Sequence, residues 1–155
     1  MKRSVSIALG VLGVALFGAF TAAVFAESQA KDYMMVGVIV AEDNVALETE
    51  DQPGATDAIM VEEVLAPDDS WLVVHLDDNG SPGMRVGLAA VPRGVSKEVR
   101  VELDDEMLTD TLFVALHADR GARGEFEFAM DMFHKSPDKP YFVGFEEVAR
   151  RVAIK

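Results

Sequence analysis

The sequence predicts an all-β fold, an antiparallel β-sandwich of the Ig-like or Greek-key type, preceded by an N-terminal hydrophobic signal or anchor helix. Apolar residues recur at every second position in several short segments, as they do in strands with one buried face. Turn-forming residues interrupt these segments at intervals of about 8–12 residues, which is typical of a sandwich. The first 26 residues differ from the rest, because they contain a long uncharged run.

That run indicates where the protein is delivered. Lys2 and Arg3 are followed by residues 4–26, which carry no charge. A charge near the bilayer centre costs about 2.5–3.5 kcal/mol, so membrane-inserted segments avoid charged residues. The leading basic residues favour a cytoplasmic N-terminus, so the chain from Glu27 onward is expected to be extracytoplasmic, either secreted, periplasmic or on the cell surface. Two interpretations stay open, a signal peptide cleaved after Ala26 and a retained transmembrane anchor.

The remainder is expected to hold a stalk at residues 27–33 and a single domain at residues 34–155. After residue 26 the chain has 27 acidic and 12 basic residues, a formal charge of −15. Such a charge repels phosphate backbones and anionic lipids, so no nucleic-acid partner is expected, and membrane contact is expected only through residues 4–26 if they are uncleaved. The absence of cysteine excludes disulfides, thiol catalysis and cysteine-ligated metal centres.

The strands can be located from the alternation. The clearest is residues 99–103, in which Val99, Val101 and Leu103 alternate with charged residues and are predicted to be buried. Other strands are predicted at residues 35–41, 59–65, 72–76, 84–91, 112–116, 124–130 and 148–154. A tight turn is predicted at residues 67–70, and a longer loop at residues 78–83.

Several of these segments together resemble a known pattern. They are Asp51-Gln52, residues 70–75 (SWLVVH), 80–83 (GSPG), Val86-Gly87, Gly94, 99–103 (VRVEL), 112–119 (LFVALHAD) and 124–128 (GEFEF). In this order they resemble an uncharacterised family, a domain of unknown function, of exported β-sandwich domains in archaeal and bacterial surface proteins. The resemblance spans roughly residues 51–154 and implies the fold class and export, and no activity. In that family further Asp or Asn with Gly often follow the His-x-Asp strand end, whereas Arg120 and Arg123 stand here, which argues against a cation-binding loop.

Two histidines are candidate metal ligands. His75 and His117 each close an apolar strand and are followed by acidic residues, so His75, His117 and Asp119 could together bind Zn²⁺ or Cu²⁺. Alternatively, each ring is structural and donates one N–H to a loop carbonyl or to an Asp near its own strand end. If the two strands are antiparallel neighbours, their C-terminal ends point in opposite directions and the histidines would be far apart. Parallel strands, or strands in facing sheets, would let them converge.

A second candidate metal site lies at the end of the predicted strand at residues 124–130 and directly after it. Met130, Met132 and His134 would share one side of an extended chain, and thioethers with an imidazole suit Cu(I). However, Phe126 and Phe128 share the same parity, so the stripe also reads as a core face in which methionine fills gaps.

No other motif carries chemistry. The sequence has no nucleophile elbow, phosphate loop or dinucleotide fingerprint, and residues 77–80 lack the ligand spacing of a helix–loop–helix calcium site. The expected function is therefore an exported or membrane-tethered binding or structural module of the cell envelope, not an enzyme. It is expected to act without a cofactor and to meet an unknown protein or envelope component. The alternative is an extracytoplasmic Zn- or Cu-binding protein.

Overall fold

The computed structural model describes residues 39–41, 44–54, 57–104, 108–129 and 135–155. The predicted signal or anchor segment, the stalk, and Met130, Met132 and His134 lie outside these ranges. The described ranges are all-β and contain no helix, hence none that could cross a membrane. Their ten strands are β1 (Ile39–Val40), β2 (Ala46–Glu48), β3 (Ala58–Ala66), β4 (Ser70–Asp78), β5 (Ser81–Val91), β6 (Gly94–Glu102), β7 (Thr111–Ala118), β8 (Tyr141–Val143), β9 (Glu146–Glu147) and β10 (Ala149–Ala153).

Two antiparallel sheets build most of the fold. One has the strand order β10-β7-β4-β5 and the other the order β2-β3-β6, and every pair in both is antiparallel. A third, small sheet has the order β1-β8-β9, in which β1 and β8 are parallel. The prediction of an all-β, sandwich-like fold is therefore confirmed.

The hydrophobic core joins the inner faces of the two larger sheets. Leu72 and Val74 of β4 and Leu116 of β7 form one cluster with Val61 of β3 and Val101 of β6, and each of the five is fully buried. Burial of such side chains is the main stabilising contribution to a domain without disulfides.

The predicted register of β6 is confirmed. Val101 is fully buried, Val99 and Leu103 are half-buried and pack against the core, and the charged residues between them are exposed. The half-burial of Val99 and Leu103 is less than the sequence predicts.

Strand β4 is buried on both faces. Leu72 and Val74 face the core, while Trp71, Val73 and His75 belong to the opposite face and are also buried. A central strand covered on both sides needs a continuous apolar run instead of an alternating one. The outer face of β4 and β7 is therefore a second, covered layer, and both candidate histidines lie there.

Two predicted elements are wrong. Residues 124–129 form no strand, because the amide N–H of Glu127 donates to the Asp138 carboxylate and that of Ala129 donates to the Ser136 hydroxyl, so these donors are not available for a strand ladder. The long loop at residues 78–83 is a two-residue turn. Asn79 and Gly80 both have positive φ, at 54° and 88°, as a tight hairpin requires, so β5 begins already at Ser81.

Candidate functional site

The pairing of β4 with β7 sets the distance between the two histidines. His117 pairs with Trp71, and His75 pairs with Phe113, so the two histidines are offset by four residues, about 14 Å along the sheet. Their ring centroids are nevertheless only 6.1 Å apart. The rings therefore lean toward each other on the outer face, above the paired residues Val73 and Ala115.

The prediction that antiparallel neighbours would keep these histidines far apart is wrong. His75 does not end its strand, because β4 continues to Asp78. His75 therefore lies within the stretch of β4 that pairs with β7. Ala115 of β7 pairs with Val73, midway between the two histidines. It is fully buried, and its single methyl group leaves room for the two rings to approach each other.

Each ring is fixed by a hydrogen bond from Nδ1 to a backbone carbonyl. His75 Nδ1 lies 2.9 Å from the oxygen of Gly83, and His117 Nδ1 lies 3.0 Å from the oxygen of Asp138. A carbonyl oxygen can only accept, so Nδ1 carries the hydrogen in both rings and each Nε2 presents a lone pair. Each ring therefore donates one N–H to a carbonyl, as expected of a structural histidine, while its Nε2 stays available as an acceptor or a metal ligand.

The two tethers lie on opposite sides of the pair. Gly83 belongs to β5, which flanks β4 on the side away from β7. His117 uses its β4-facing side to pair with Trp71, so its bridge to Pro140, two residues after Asp138, is on the side away from β4. Because both Nδ1–H groups are directed outward, we expect the two Nε2 atoms to face the space between the rings.

Strand β5 is irregular where it supplies Gly83. The register of β4 against β5 shifts between Val74 and His75 and again between His75 and Asp77. Such bulges redirect backbone groups beside functional sites. A Cβ at Gly83 would lie 2.9 Å from Cβ of Asp78, so only glycine fits this approach.

Burial keeps both imidazoles neutral. It lowers the pKa of His117 from 6.5 to about 4, outweighing the hydrogen bond to Asp138, which acts in the opposite direction. Burial also lowers the pKa of His75, and the positive charge of Arg85 adds to this effect. Nε2 of His75 is buried and has no hydrogen-bond partner among the described residues.

Aromatic residues from the segment after β7 pack against His117. Phe128 packs edge-on against the His117 ring at 4.8 Å between centroids, and Phe126 contacts the same ring at 5.7 Å. Arg85 lies over the Phe126 ring at 5.4 Å. His117 therefore sits in largely apolar surroundings. Beside it, the buried lone pair of His75 Nε2 has no partner among the described residues, which is costly.

A cavity of about 300 Å³ opens beside the two histidines. Its walls are Pro82, Phe128, Pro140 and Phe142, with polar groups from His75, His117, Ser81 and Glu147. Burial raises the pKa of Glu147 above its usual value. An apolar cavity of this size with a few polar groups of shifted pKa is the usual form of a small-ligand site.

Comparison with known proteins identifies the family. A family model described as "Domain of unknown function (DUF7282)" matches residues 45–155. The chain belongs to this DUF7282 family. The DUF7282 region includes both histidines, their two carbonyl partners and the cavity walls. No curated protein matches the chain, and no solved structure matches it.

The sequence predicts Asp119 as the third metal ligand, and this residue also lies in the DUF7282 region. In the structure, however, Asp119 contacts its own loop and not the two histidines. Its Oδ2 accepts a hydrogen bond of 2.9 Å from the amide of Gly124, while its Oδ1 is buried without a partner among the described residues. Within the described ranges, no three His, Asp or Glu side chains are grouped so that they could hold a metal ion. The structure therefore brings His75 and His117 together and does not group Asp119 with them.

The two arginines that depart from the expected family pattern pair with acids of the β3–β4 turn. Arg120 lies 2.8 Å from Asp68, and Arg123 pairs with Asp69. These pairs join the loop after β7 to the end of the sheet, with small individual contributions to stability because they are largely exposed.

Sequence reasoning missed two residues of the site, Asp138 and Glu147. Asp138 is fully buried, and its carboxylate accepts N–H groups from Arg120, Gly121 and Glu127, which fixes the covering segment. Its position after Ser136-Pro137 is a turn signal that could have drawn attention to it. Glu147 has no local signal, because only tertiary folding brings it to the cavity.

Proposed function

We propose that this chain is an exported or membrane-tethered binding module of the cell envelope, in which an Ig-like, Greek-key sandwich presents the cavity beside His75 and His117 to a ligand. One observation carries the proposal, the buried Nε2 of His75 without a hydrogen-bond partner in the described ranges, in a ring that borders that cavity. Folded proteins rarely leave a buried acceptor unpaired, and such a group calls for an explanation. The proposal assigns the cavity to binding and not to catalysis.

Strand order supports the Greek-key part of the proposal. The chain passes from β3 in one sheet to β4 in the other, returns from β5 to β6 beside β3, and then places β7 against β4. Such a return to an earlier strand, by a longer connection, is the mark of Greek-key connectivity.

The sequence supports the location. Residues 1–26 serve as the export signal or the anchor, and residues 27–33 as the stalk that separates the domain from the membrane. A strongly acidic, cysteine-free domain stabilised by its core is compatible with an extracytoplasmic location. The partner is an envelope component or a protein, with nucleic acid disfavoured by charge.

Native mass spectrometry tests the binding function. Protein without an affinity tag is recovered from the extracytoplasmic fraction of producing cells and compared with His75→Asn, whose amide can still donate to Gly83 but lacks the Nε2 lone pair. We expect an added mass on the wild-type chain and none on the variant, with exposed Glu102→Lys as the matched control that keeps it. Wild-type protein at the bare polypeptide mass would contradict the proposal.

Metal binding is the second candidate function. Of the three ligands that the sequence suggests, His75 and His117 lie together, whereas Asp119 is not grouped with them. The observation that favours it is the pair of Nδ1–H to carbonyl hydrogen bonds, because metal-ligating histidines almost always anchor their second nitrogen in this way. Elemental analysis of the same untagged protein is expected to find about one zinc or copper per chain. An organic adduct without metal would support the first candidate alone.

A further inference from the structure

The number of ligands available to a metal between the two rings is small. His75 and His117 supply two Nε2 atoms, and no third His, Asp or Glu is grouped with them in the described ranges. Glu147 lines the same cavity without joining such a group. Phe126 and Phe128 contact the His117 ring and make its surroundings largely apolar.

The spacing of the rings favours a nearly linear arrangement. With a metal–nitrogen bond of about 2.0 Å, two imidazoles at a tetrahedral angle have ring centroids about 5.1 Å apart, and two in line have centroids about 6.2 Å apart. The observed separation is 6.1 Å. The 30° angle between the ring planes does not matter for a linear arrangement, because each ring can rotate about its metal–nitrogen bond.

Few metal ions accept this environment. Zn²⁺ prefers four ligands in a tetrahedron, and Cu²⁺ prefers a tetragonal set of four or more. Copper(I) has a filled d shell and is stable with two neutral nitrogen ligands in line, with an apolar surrounding that suits its low charge. Imidazole is an established copper ligand.

We infer that His75 and His117 form a two-coordinate copper(I) site, with the ion held between the two Nε2 atoms. This rests on the second proposed function and replaces the three-ligand set suggested by the sequence. Gly83 and Asp138 act as positioning residues, because their carbonyl oxygens fix the two rings. Asp119 takes no part, since its Oδ2 is engaged with Gly124.

The test is an anaerobic titration of the full-length protein, in mild detergent, with Cu(I) against a chromophoric Cu(I) chelator. We expect one equivalent to bind, and the X-ray absorption edge to show the strong pre-edge feature of two-coordinate Cu(I). His75→Asn and His117→Asn each keep a donor for the backbone carbonyl and remove one ligand. Loss of a ligand's hydrogen-bond partner weakens metal binding by about 10–100-fold. Each of these variants loses the ligand itself, so each should weaken Cu(I) binding by a larger factor.

Asp119→Asn is the matched control and should leave both the affinity and the absorption edge unchanged. Circular dichroism of all three variants checks that the fold is retained. Cu(I) binding that survives in the His75→Asn, His117→Asn double variant would overturn the inference. So would Zn²⁺ or Cu²⁺ binding at the pair without Cu(I) binding, which would leave the metal-binding function standing. Failure of all three ions to bind would overturn the inference and that function together.

Discussion

His117 shows how burial sets the charge of a single residue. Its pKa falls from 6.5 in the unfolded chain to about 4 in the folded protein, so between these values the unfolded chain holds a proton that the folded protein lacks. The stability that comes from the neutral ring is therefore fully present above pH 6.5 and is lost as the pH falls toward 4. Over that whole range the change amounts to roughly 3 kcal/mol.

This predicts a pH dependence that belongs to His117. Lowering the pH from 7 to 5 should reduce the free energy of unfolding of the wild-type protein by about 2 kcal/mol more than that of His117→Asn, which cannot titrate. Urea denaturation at both pH values measures the difference, and the other groups near the ring, His75 and Asp138, are common to both proteins. Equal pH dependence in the two proteins would show that the ring is not held neutral by burial.

At the scale of elements, alternation in the sequence predicts those strands that have one buried and one solvated face. Strand β6 is such a strand, and its pattern predicts which of its residues are buried. Strand β4 contains a continuous apolar run at residues 71–74, and the sequence does not say that the segment after β7 packs against its outer face at Trp71. That packing depends on Asp138, whose three backbone partners lie 11 to 18 residues away and cannot be inferred from spacing.

The register of β6 makes the second prediction. Val101→Asp places a charge in the core and removes apolar contacts, so it should destabilise the protein by about 3–5 kcal/mol. Glu102→Lys, one position along the strand, changes an exposed side chain and should alter stability by less than about 1 kcal/mol. Thermal unfolding of both variants measures the effect, and equal shifts in Tm would contradict the register.

The sequence predicts individual residues of the site but not their arrangement in space. His75 and His117 stand out in the sequence because each follows an apolar run and precedes an acid. Their approach depends on the register between β4 and β7 and on the small side chain of Ala115, which are tertiary features. Glu147 joins the cavity from a two-residue strand far along the chain, so no local pattern marks it.

At the scale of the whole molecule, the N-terminal run and the acidic domain predict the location. A reporter that is active only in the cytoplasm, fused after Lys155, should be inactive, because residues 4–26 direct the following chain across the membrane. The matched control lacks residues 1–26 and should be active. Reporter activity in the full-length fusion would contradict export.

The central claim is that both histidines offer Nε2 lone pairs toward one shared space. Long-range ¹H–¹⁵N NMR of the imidazole rings at pH 7 tests it most directly, because the nitrogen shifts distinguish the two neutral tautomers and the protonated ring. The account predicts that His75 and His117 are both neutral, with the hydrogen on Nδ1 and a free Nε2. A hydrogen on Nε2 of either ring, or a protonated ring, would contradict it.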